Sequence, residues 1–209
     1  FKDVHVSYLP SELGVDLRLS SSIRQQAMNE CRDAIFATLQ PYAYATDLTP
    51  ISQVVGTLLR KRHATVCTAE SCTGGLVADW LTDIPGSSDY YLGGVVCYSN
   101  HAKHSLLQVS EATLRKHGAV SSEVAQQMAA RARSLFAAEY ALALTGIAGP
   151  AGGTQKKPVG LVYIALAEPG GIAVWELHLN GPRRTIKIQA AMRALDYLRR
   201  ILLNLPTTS

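Results

Sequence analysis

Residues 65–75 read TVCTAESCTGG, and this stretch decides the fold because it joins a strand pattern to a helix pattern. Strand-forming residues come first, Ser71 and Cys72 follow, and Gly74 and Gly75 open a run of helix-forming residues. A strand, a tight turn and a helix in this order form the repeating unit of an α/β layered protein. Ligands of such proteins bind beyond the carboxyl ends of the strands, so this turn is also a candidate site for chemistry.

The alternation of strands and helices continues from residue 47 to the end of the chain. Thr49 is the expected cap of a first helix, with Pro50 at its first helical position. Apolar patterns predict strands at 63–70, 90–99, 140–149, 161–167 and 171–179, the last two as a hairpin. Capping residues and helical spacing predict helices at 49–62, 76–81, 110–118, 121–139 and 183–205. The pattern predicts a three-layer α/β/α domain with a central sheet over residues 47–209.

A small β-β-α module precedes this domain over residues 1–46. The segments VHVSYLP and GVDLRLS alternate apolar and polar residues around a turn, which indicates a strand pair. Serines begin a predicted helix over residues 20–39, in which Ile23, Ala27 and Cys31 recur at helical spacing. The chain begins at Phe1 rather than at a methionine, so we expect it to be a fragment or a processed chain.

Composition favours a soluble cytoplasmic protein with no nucleic-acid or membrane partner. Of the 209 residues 47% are hydrophobic, which is enough for a core, and the net charge is only +4. The basic residues are dispersed, with RKR at 60–62 and PRR at 182–184 as the densest spots, and no apolar run has the length of a membrane span. The cysteines lack metal-like spacing and are expected to be small buried hydrophobes in a reduced compartment: Cys31, Cys67, Cys72 and Cys97.

Ser71 is the candidate nucleophile, because N–H groups at a helix start can stabilise developing negative charge. A simple helix cap is the alternative for this serine, and Cys72 is the alternative nucleophile. A serine needs a base, and Lys103 in the segment CYSNHAKHSLL follows a strand from which it can reach the same crevice. His101 and His104 have no evident third ligand, so no metal and no other cofactor is predicted.

Taken together, three long segments closely resemble the C-terminal domain of the competence/damage-inducible (CinA) family. They are TAESCTGGLVADWLTDIPGSSDYYLGGVVCYSNHAKHSLL, HGAVSSEVAQQMA and ALTGIAGPAGGTQKKPVGLVYIALA. The resemblance runs from about residue 48 to 205, in order and with little gap. Residues 1–46 are similar to the small segment that precedes this module in two-domain members, whose larger N-terminal domain is not part of this sequence.

The resemblance implies an amidohydrolase that converts nicotinamide mononucleotide to nicotinic acid mononucleotide and ammonia, a step of pyridine nucleotide salvage. It implies Ser71 as nucleophile, Lys103 as base and Tyr98 as a group that holds or relays the proton. It also implies substrate contacts from the glycine pair, the TGIAGP loop and one arginine: Gly74, Gly75, Thr145, Gly146, Ala148, Gly149 and Arg183. Leu179 stands where the family usually has phenylalanine, and Lys187 stands where an arginine is common, so a phosphate role is not carried over to Lys187.

Several alternatives stay open at the level of sequence. The chain could be a catalytically inactive nucleotide-binding or regulatory module, or the N-terminal segment could bind RNA, although it lacks a basic stripe and a G-x-x-G loop. Glu70 either pairs with Lys103 or caps the turn, and capping is favoured. The apolar face of the last helix packs either on the core or on a second copy in a homodimer; it contains Ile186, Ala190, Leu195, Leu198 and Leu202.

Overall fold

The computed structural model describes residues 4–22 and 25–207, which form an α/β domain preceded by a hairpin and a helix. The strands are β1 Val4–Ser11, β2 Gly14–Ser21, β3 Val66–Glu70, β4 Tyr91–Val96, β5 Tyr140–Gly146, β6 Leu161–Glu168 and β7 Gly171–His178. The helices are α1 Gln25–Thr38, α2 Ile51–Arg62, α3 Leu76–Thr82, α4 Asn100–Leu107, α5 Glu111–His117, α6 Ser122–Phe136 and α7 Arg183–Leu202. Among the described residues, no helix combines the length and the apolar character that crossing a bilayer requires.

The central sheet has five strands in the order β4-β3-β5-β6-β7. Strand β3 is parallel to both of its neighbours, β4 and β5, while β6 and β7 form the predicted antiparallel hairpin. Strand β7 therefore runs in the same direction as β5. As a result β3, β4, β5 and β7 all end at one edge of the sheet, and the loops that follow them meet there.

Helices cover both faces of the sheet, which confirms the predicted three-layer α/β/α architecture. One core contains side chains of α2, α3 and α7, and the other contains side chains of α4, α5 and α6. Strand β5 shows how the pattern divides, because Leu142 and Leu144 belong to the first core while Ala141 and Ala143 belong to the second. The apolar face of α7 lies in the first core, so the packing of that face is internal.

Two predicted helix starts are wrong. Helix α1 begins at Gln25 rather than near residue 20, because Ser20 pairs with His5 in the hairpin and extends β2. Ile23 lies outside the described residues. Helix α2 begins at Ile51 with Pro50 as its cap residue, and the expected cap Thr49 instead donates its N–H to the Asp47 carboxylate at 2.9 Å.

A buried charge group in α7 connects the domain to the segment before it. Asp196 accepts a hydrogen bond from Arg199 Nε at 2.8 Å and lies 2.7 Å from Arg200 Nε. Both arginines are almost fully buried. Arg199 also donates to the Pro41 carbonyl, and the Arg200 guanidinium lies 5.2 Å from the centre of the Tyr42 ring. One carboxylate thus pairs with two guanidiniums, and the Pro41 carbonyl and the Tyr42 ring add contacts to the positive charge that remains.

Candidate functional site

The loops that follow β3, β4, β5 and β7 meet at the carboxyl edge of the sheet. The loop after β3 is fixed on both sides, because Ser71 N–H donates to the Leu144 carbonyl at 2.9 Å and Cys97 N–H donates to the Glu70 carbonyl at 2.8 Å. Strand pairing thus continues one residue past the end of β3. The sheet itself therefore sets the position of Ser71.

Ser71 and Lys103 are in direct contact although 32 residues separate them. The Lys103 Nζ lies 2.8 Å from the Ser71 Oγ, 2.9 Å from the Cys97 carbonyl oxygen and 3.4 Å from the Tyr98 carbonyl oxygen. Ser99 caps α4 by accepting the Ala102 N–H, and this cap places Lys103 in the first turn of the helix, facing inward.

Burial lowers the pKa of Lys103 below its ordinary value, because the charged amine is poorly solvated there. The side chain is 1% exposed and Ser71 is 7% exposed. A neutral amine has two N–H donors and one lone pair. The two carbonyls can accept both donors, which leaves the lone pair directed at the Ser71 hydroxyl. The arrangement therefore suits a lysine that accepts a proton from a serine.

Glu70 caps helix α3, and the idea that Ser71 forms this cap is wrong. The Glu70 carboxylate accepts the N–H groups of Gly75 at 3.0 Å, Val77 at 3.2 Å and Ala78 at 2.9 Å. These amides are therefore unavailable to a substrate oxyanion. The N–H groups of Cys72 and Thr73 face the Cys72 sulfur, which is a weak acceptor, so they are the donors beside Ser71 that an oxyanion could recruit.

Cys72 lies next to Ser71 but its chemistry is different. The side chain is buried in the core that contains α2, α3 and α7, and burial raises the pKa of the thiol to about 12. A thiol must lose its proton to act as a nucleophile, so the raised pKa disfavours Cys72 as the nucleophile at neutral pH. All four cysteines are buried free thiols, as the sequence predicted.

Tyr98 lies at the rim of the site and not between Ser71 and Lys103. Its side chain is 61% exposed, and its hydroxyl accepts a hydrogen bond from Arg183 Nη2 at 2.9 Å. Only its backbone carbonyl contacts Lys103. Arg183 also donates from Nη1 to the Gly149 carbonyl at 2.8 Å, so its guanidinium joins the loop after β4 to the loop after β5.

The predicted substrate-binding residues at the end of β5 are packed inside the protein. The Thr145 hydroxyl donates to the Ala119 carbonyl at 2.8 Å, and the Ala148 side chain is buried in the core beside α7. A methyl group at Gly146 would meet Val162 Cγ2 at 2.7 Å. These residues therefore shape the loop, and the Gly149 carbonyl is the group from this stretch that meets Arg183.

The glycine pair is close to a second cation, Lys187, to which no phosphate role was carried over from the sequence. Gly74 and Gly75 have φ values of 68° and 97°, which residues with a side chain rarely adopt. A methyl group on Gly74 would lie 3.6 Å from the Lys187 Nζ. Lys187 is one helical turn after Arg183, so both cations project from the start of α7 toward the loops of the site. The i, i+4 spacing from Arg183 is the signal in the sequence that places Lys187 on the same side of the helix.

His101 and His104 are exposed on α4. The His104 Nδ1 lies 3.0 Å from the Val109 carbonyl oxygen. Over residues 4–22 and 25–207, no group of three or more histidine, cysteine, aspartate or glutamate side chains is arranged to hold a metal ion.

The chain is thus an α/β protein with a mixed sheet. A buried serine–lysine pair at the carboxyl edge of this sheet forms its candidate active site. The match to a family model identifies the family: residues 48–202 match the CinA C-terminal domain, and the chain belongs to this family. The resemblance seen in the sequence is thereby confirmed.

Relatives of known name or structure support this membership. A CinA-like protein of Desulfotalea psychrophila is 45% identical over 96% of this chain and 50% of its own length, and one of Geotalea uraniireducens is 46% identical over 93% and 47%. The chain thus spans about half the length of these curated relatives. The crystal structure of competence/damage inducible protein CihA from Agrobacterium tumefaciens is 42% identical, with a TM-score of 0.71 over 74% of this chain and 93% of that chain.

Proposed function

We propose that this chain hydrolyses the carboxamide of nicotinamide mononucleotide, giving nicotinic acid mononucleotide and ammonia. The observation that carries the proposal is the 2.8 Å contact between Ser71 Oγ and the buried Lys103 Nζ, whose pKa is lowered by burial. Hydrolysis of an unactivated amide requires a strong nucleophile and a base close to it, and this pair supplies both. The choice of nicotinamide mononucleotide as substrate rests on the resemblance of the sequence motifs to the CinA family, whose model matches residues 48–202.

The first half-reaction transfers the acyl group to the serine. Neutral Lys103 accepts the hydroxyl proton as Ser71 Oγ forms a bond to the carboxamide carbon, and the carbonyl electron pair moves to oxygen. We expect the N–H groups of Cys72 and Thr73 to bind this oxyanion, because other amides of the turn are occupied by Glu70. The Lys103 ammonium then returns the proton to the amide nitrogen, the C–N bond breaks and ammonia leaves.

The second half-reaction restores the enzyme. Water attacks the acyl carbon and gives a proton to Lys103, and the ester bond to Ser71 Oγ breaks. The serine recovers its proton from Lys103, and nicotinic acid mononucleotide leaves. No step requires Tyr98 to carry a proton, which agrees with the direct contact between Ser71 and Lys103 and with the bond of the Tyr98 hydroxyl to Arg183.

We propose that the phosphate binds at the start of α7. Within the part of the chain that the structure describes, the Arg183 guanidinium donates to the Gly149 carbonyl and the Tyr98 hydroxyl, and a guanidinium has five N–H donors. Lys187 adds a second positive charge on the same side, close to Gly74. An anion between these side chains would gain charge-assisted hydrogen bonds, and this geometry favours a phosphorylated amide over free nicotinamide.

Ammonia release from nicotinamide mononucleotide by the purified chain tests this proposal. Ser71→Ala should lower kcat by about 10³-fold or more, because removing the nucleophile of such a site removes its covalent route. Ser134→Ala, an exposed serine of α6, is the matched control and should retain wild-type activity. Nucleotide binding by a wild-type chain that releases no ammonia would instead support a regulatory module, and activity in Ser71→Ala would reject the nucleophile.

Two further expectations from the sequence stay proposals. We propose that the chain acts in the cytoplasm. Its cysteines are free thiols, which reducing conditions preserve, and its proposed substrate is a nucleotide. A homodimer also stays a prediction, but it no longer draws support from the apolar face of α7, which packs internally. Light scattering of the purified chain measures its mass directly.

A further inference from the structure

The connection between α5 and α6 is held by side chains from elsewhere in the protein. The His117 and Val120 carbonyls both accept hydrogen bonds from Lys157 Nζ, at 2.6 Å each. The Ala119 carbonyl, which precedes that of Val120 in the chain, accepts a hydrogen bond from the Thr145 hydroxyl. An ammonium is well placed here because the carbonyls at the end of a helix carry partial negative charge.

Lys157 belongs to the loop that joins β5 to β6, residues 147–160, which we call the β5–β6 loop. Its backbone is also fixed, because Lys157 N–H donates to the Thr154 hydroxyl at 3.0 Å and Thr154 N–H donates to the Lys157 carbonyl at 2.8 Å. The side chain is partly buried, whereas the neighbouring Lys156 is exposed. Of these two neighbouring lysines, Lys157 is therefore the one that is held in place by its contacts with the His117 and Val120 carbonyls.

The other side of the β5–β6 loop meets the proposed phosphate site. Its Gly149 carbonyl accepts the Arg183 guanidinium at 2.8 Å, and Gly149 has a φ of 73°. A methyl group at this position would lie 2.6 Å from Val159 Cγ1, so the loop is closely packed against itself. Lys157 ties the loop to the helices on one face of the sheet, and Gly149 ties it to α7 on the other.

We propose that Lys157 is a positioning residue which holds the β5–β6 loop so that the Gly149 carbonyl orients Arg183 toward the nucleotide phosphate. The inference rests on the proposed function, because it assigns Lys157 a role in binding that substrate. Lys157 itself touches neither the Ser71–Lys103 pair nor Arg183. Its loss should therefore weaken nucleotide binding while leaving the chemical step nearly unchanged.

Steady-state kinetics of Lys157→Met and Lys156→Met separate this role from a general effect of lost charge. We expect the KM for nicotinamide mononucleotide to rise about tenfold in Lys157→Met with kcat changed less than about twofold, the signature of lost uniform binding. Lys156→Met should match the wild type. Lys157→Arg should recover most of the affinity, because a guanidinium also donates to two carbonyls. Equal effects of the two methionine variants, or a fall in kcat alone, would overturn the inference.

A double-mutant cycle with Arg183→Met tests whether Lys157 acts through Arg183. If it does, the KM of the double variant should equal that of Arg183→Met within about twofold, because residues in one network are not additive. A purely structural role would make the two effects multiply, and that result would reject the inference.

Hydrogen exchange of the β5–β6 loop gives a readout that needs no substrate. Amides of residues 147–160 should exchange faster in Lys157→Met than in Lys156→Met, whatever the activity of the chain. Faster exchange in a wild-type-folded chain that releases no ammonia would reject the proposed function and keep the loop contact. Unchanged exchange would reject the positioning role even if the chain is an active amidohydrolase.

Discussion

Lys103→Met is the sharpest test of the serine–lysine pair. The substitution keeps an unbranched apolar side chain at a position that is 1% exposed, and it removes the amine that lies 2.8 Å from Ser71 Oγ. A positioned general base contributes about 10²–10⁴-fold to a rate, which corresponds to about 3–5 kcal/mol of barrier. We therefore expect kcat/KM for ammonia release to fall by about 10³-fold, within that range.

Two controls separate the missing base from a damaged fold. Methionine leaves the Cys97 and Tyr98 carbonyls without their donor, and a lost hydrogen bond costs about 1 kcal/mol net. Urea unfolding of the variant therefore shows whether the protein used in the assay is folded. Lys116→Met removes an exposed lysine of α5 and should leave the rate unchanged.

The pH profile and a double variant complete the experiment. Only neutral Lys103 can accept a proton, so wild-type kcat/KM should rise with pH through the lowered pKa of this lysine. Lys103→Arg should stay inactive at every pH, since a guanidinium does not lose its proton. Ser71→Ala, Lys103→Met and their combination should share one residual rate, because the two groups act as a unit. A Lys103→Met enzyme with more than about a tenth of wild-type kcat/KM would refute the base assignment.

Two more substitutions test the turn around Ser71. Cys72→Ala should keep kcat within about twofold of the wild type, and native wild-type Cys72 should resist iodoacetamide at neutral pH, because burial raises the pKa of this thiol to about 12. Loss of ammonia release in folded Cys72→Ala would contradict this. Glu70→Gln should lower the free energy of unfolding in urea by about 1–2 kcal/mol, because the charge that caps α3 is lost. The exposed Glu111→Gln is its control, and equal unfolding curves for both variants would reject the capping role.

The layered fold could be predicted from the sequence because each strand carries its own apolar pattern. In β5, leucine and alanine alternate, and the structure divides them between the two cores as a period of two requires. The helix starts near residues 20 and 49 were harder to predict, because a serine or threonine can equally extend a strand or sit in a turn. Ser20 pairs in the hairpin, and Thr49 bonds Asp47.

The candidate site could be predicted only where a side chain and its partner follow adjacent strands. Ser71 and Lys103 follow β3 and β4, so the strand order brings them together. The sequence could not show that Glu70, rather than Ser71, supplies the helix cap, because that depends on the direction of a buried carboxylate. Nor could it distinguish Lys157 from Lys156, since both stand in the same loop and only the folded chain gives one of them two carbonyl partners.

The charge group of α7 bears on where this chain can be divided. Residue 46 separates two patterns in the sequence, but the Arg199 guanidinium on one side of it is satisfied in part by the Pro41 carbonyl on the other. In that sense the backbone of the first module takes the place of water for a charged side chain of the second. The candidate active site lies entirely after residue 46. A chain that began there would nevertheless lose the Pro41 carbonyl, which accepts a hydrogen bond from the buried Arg199.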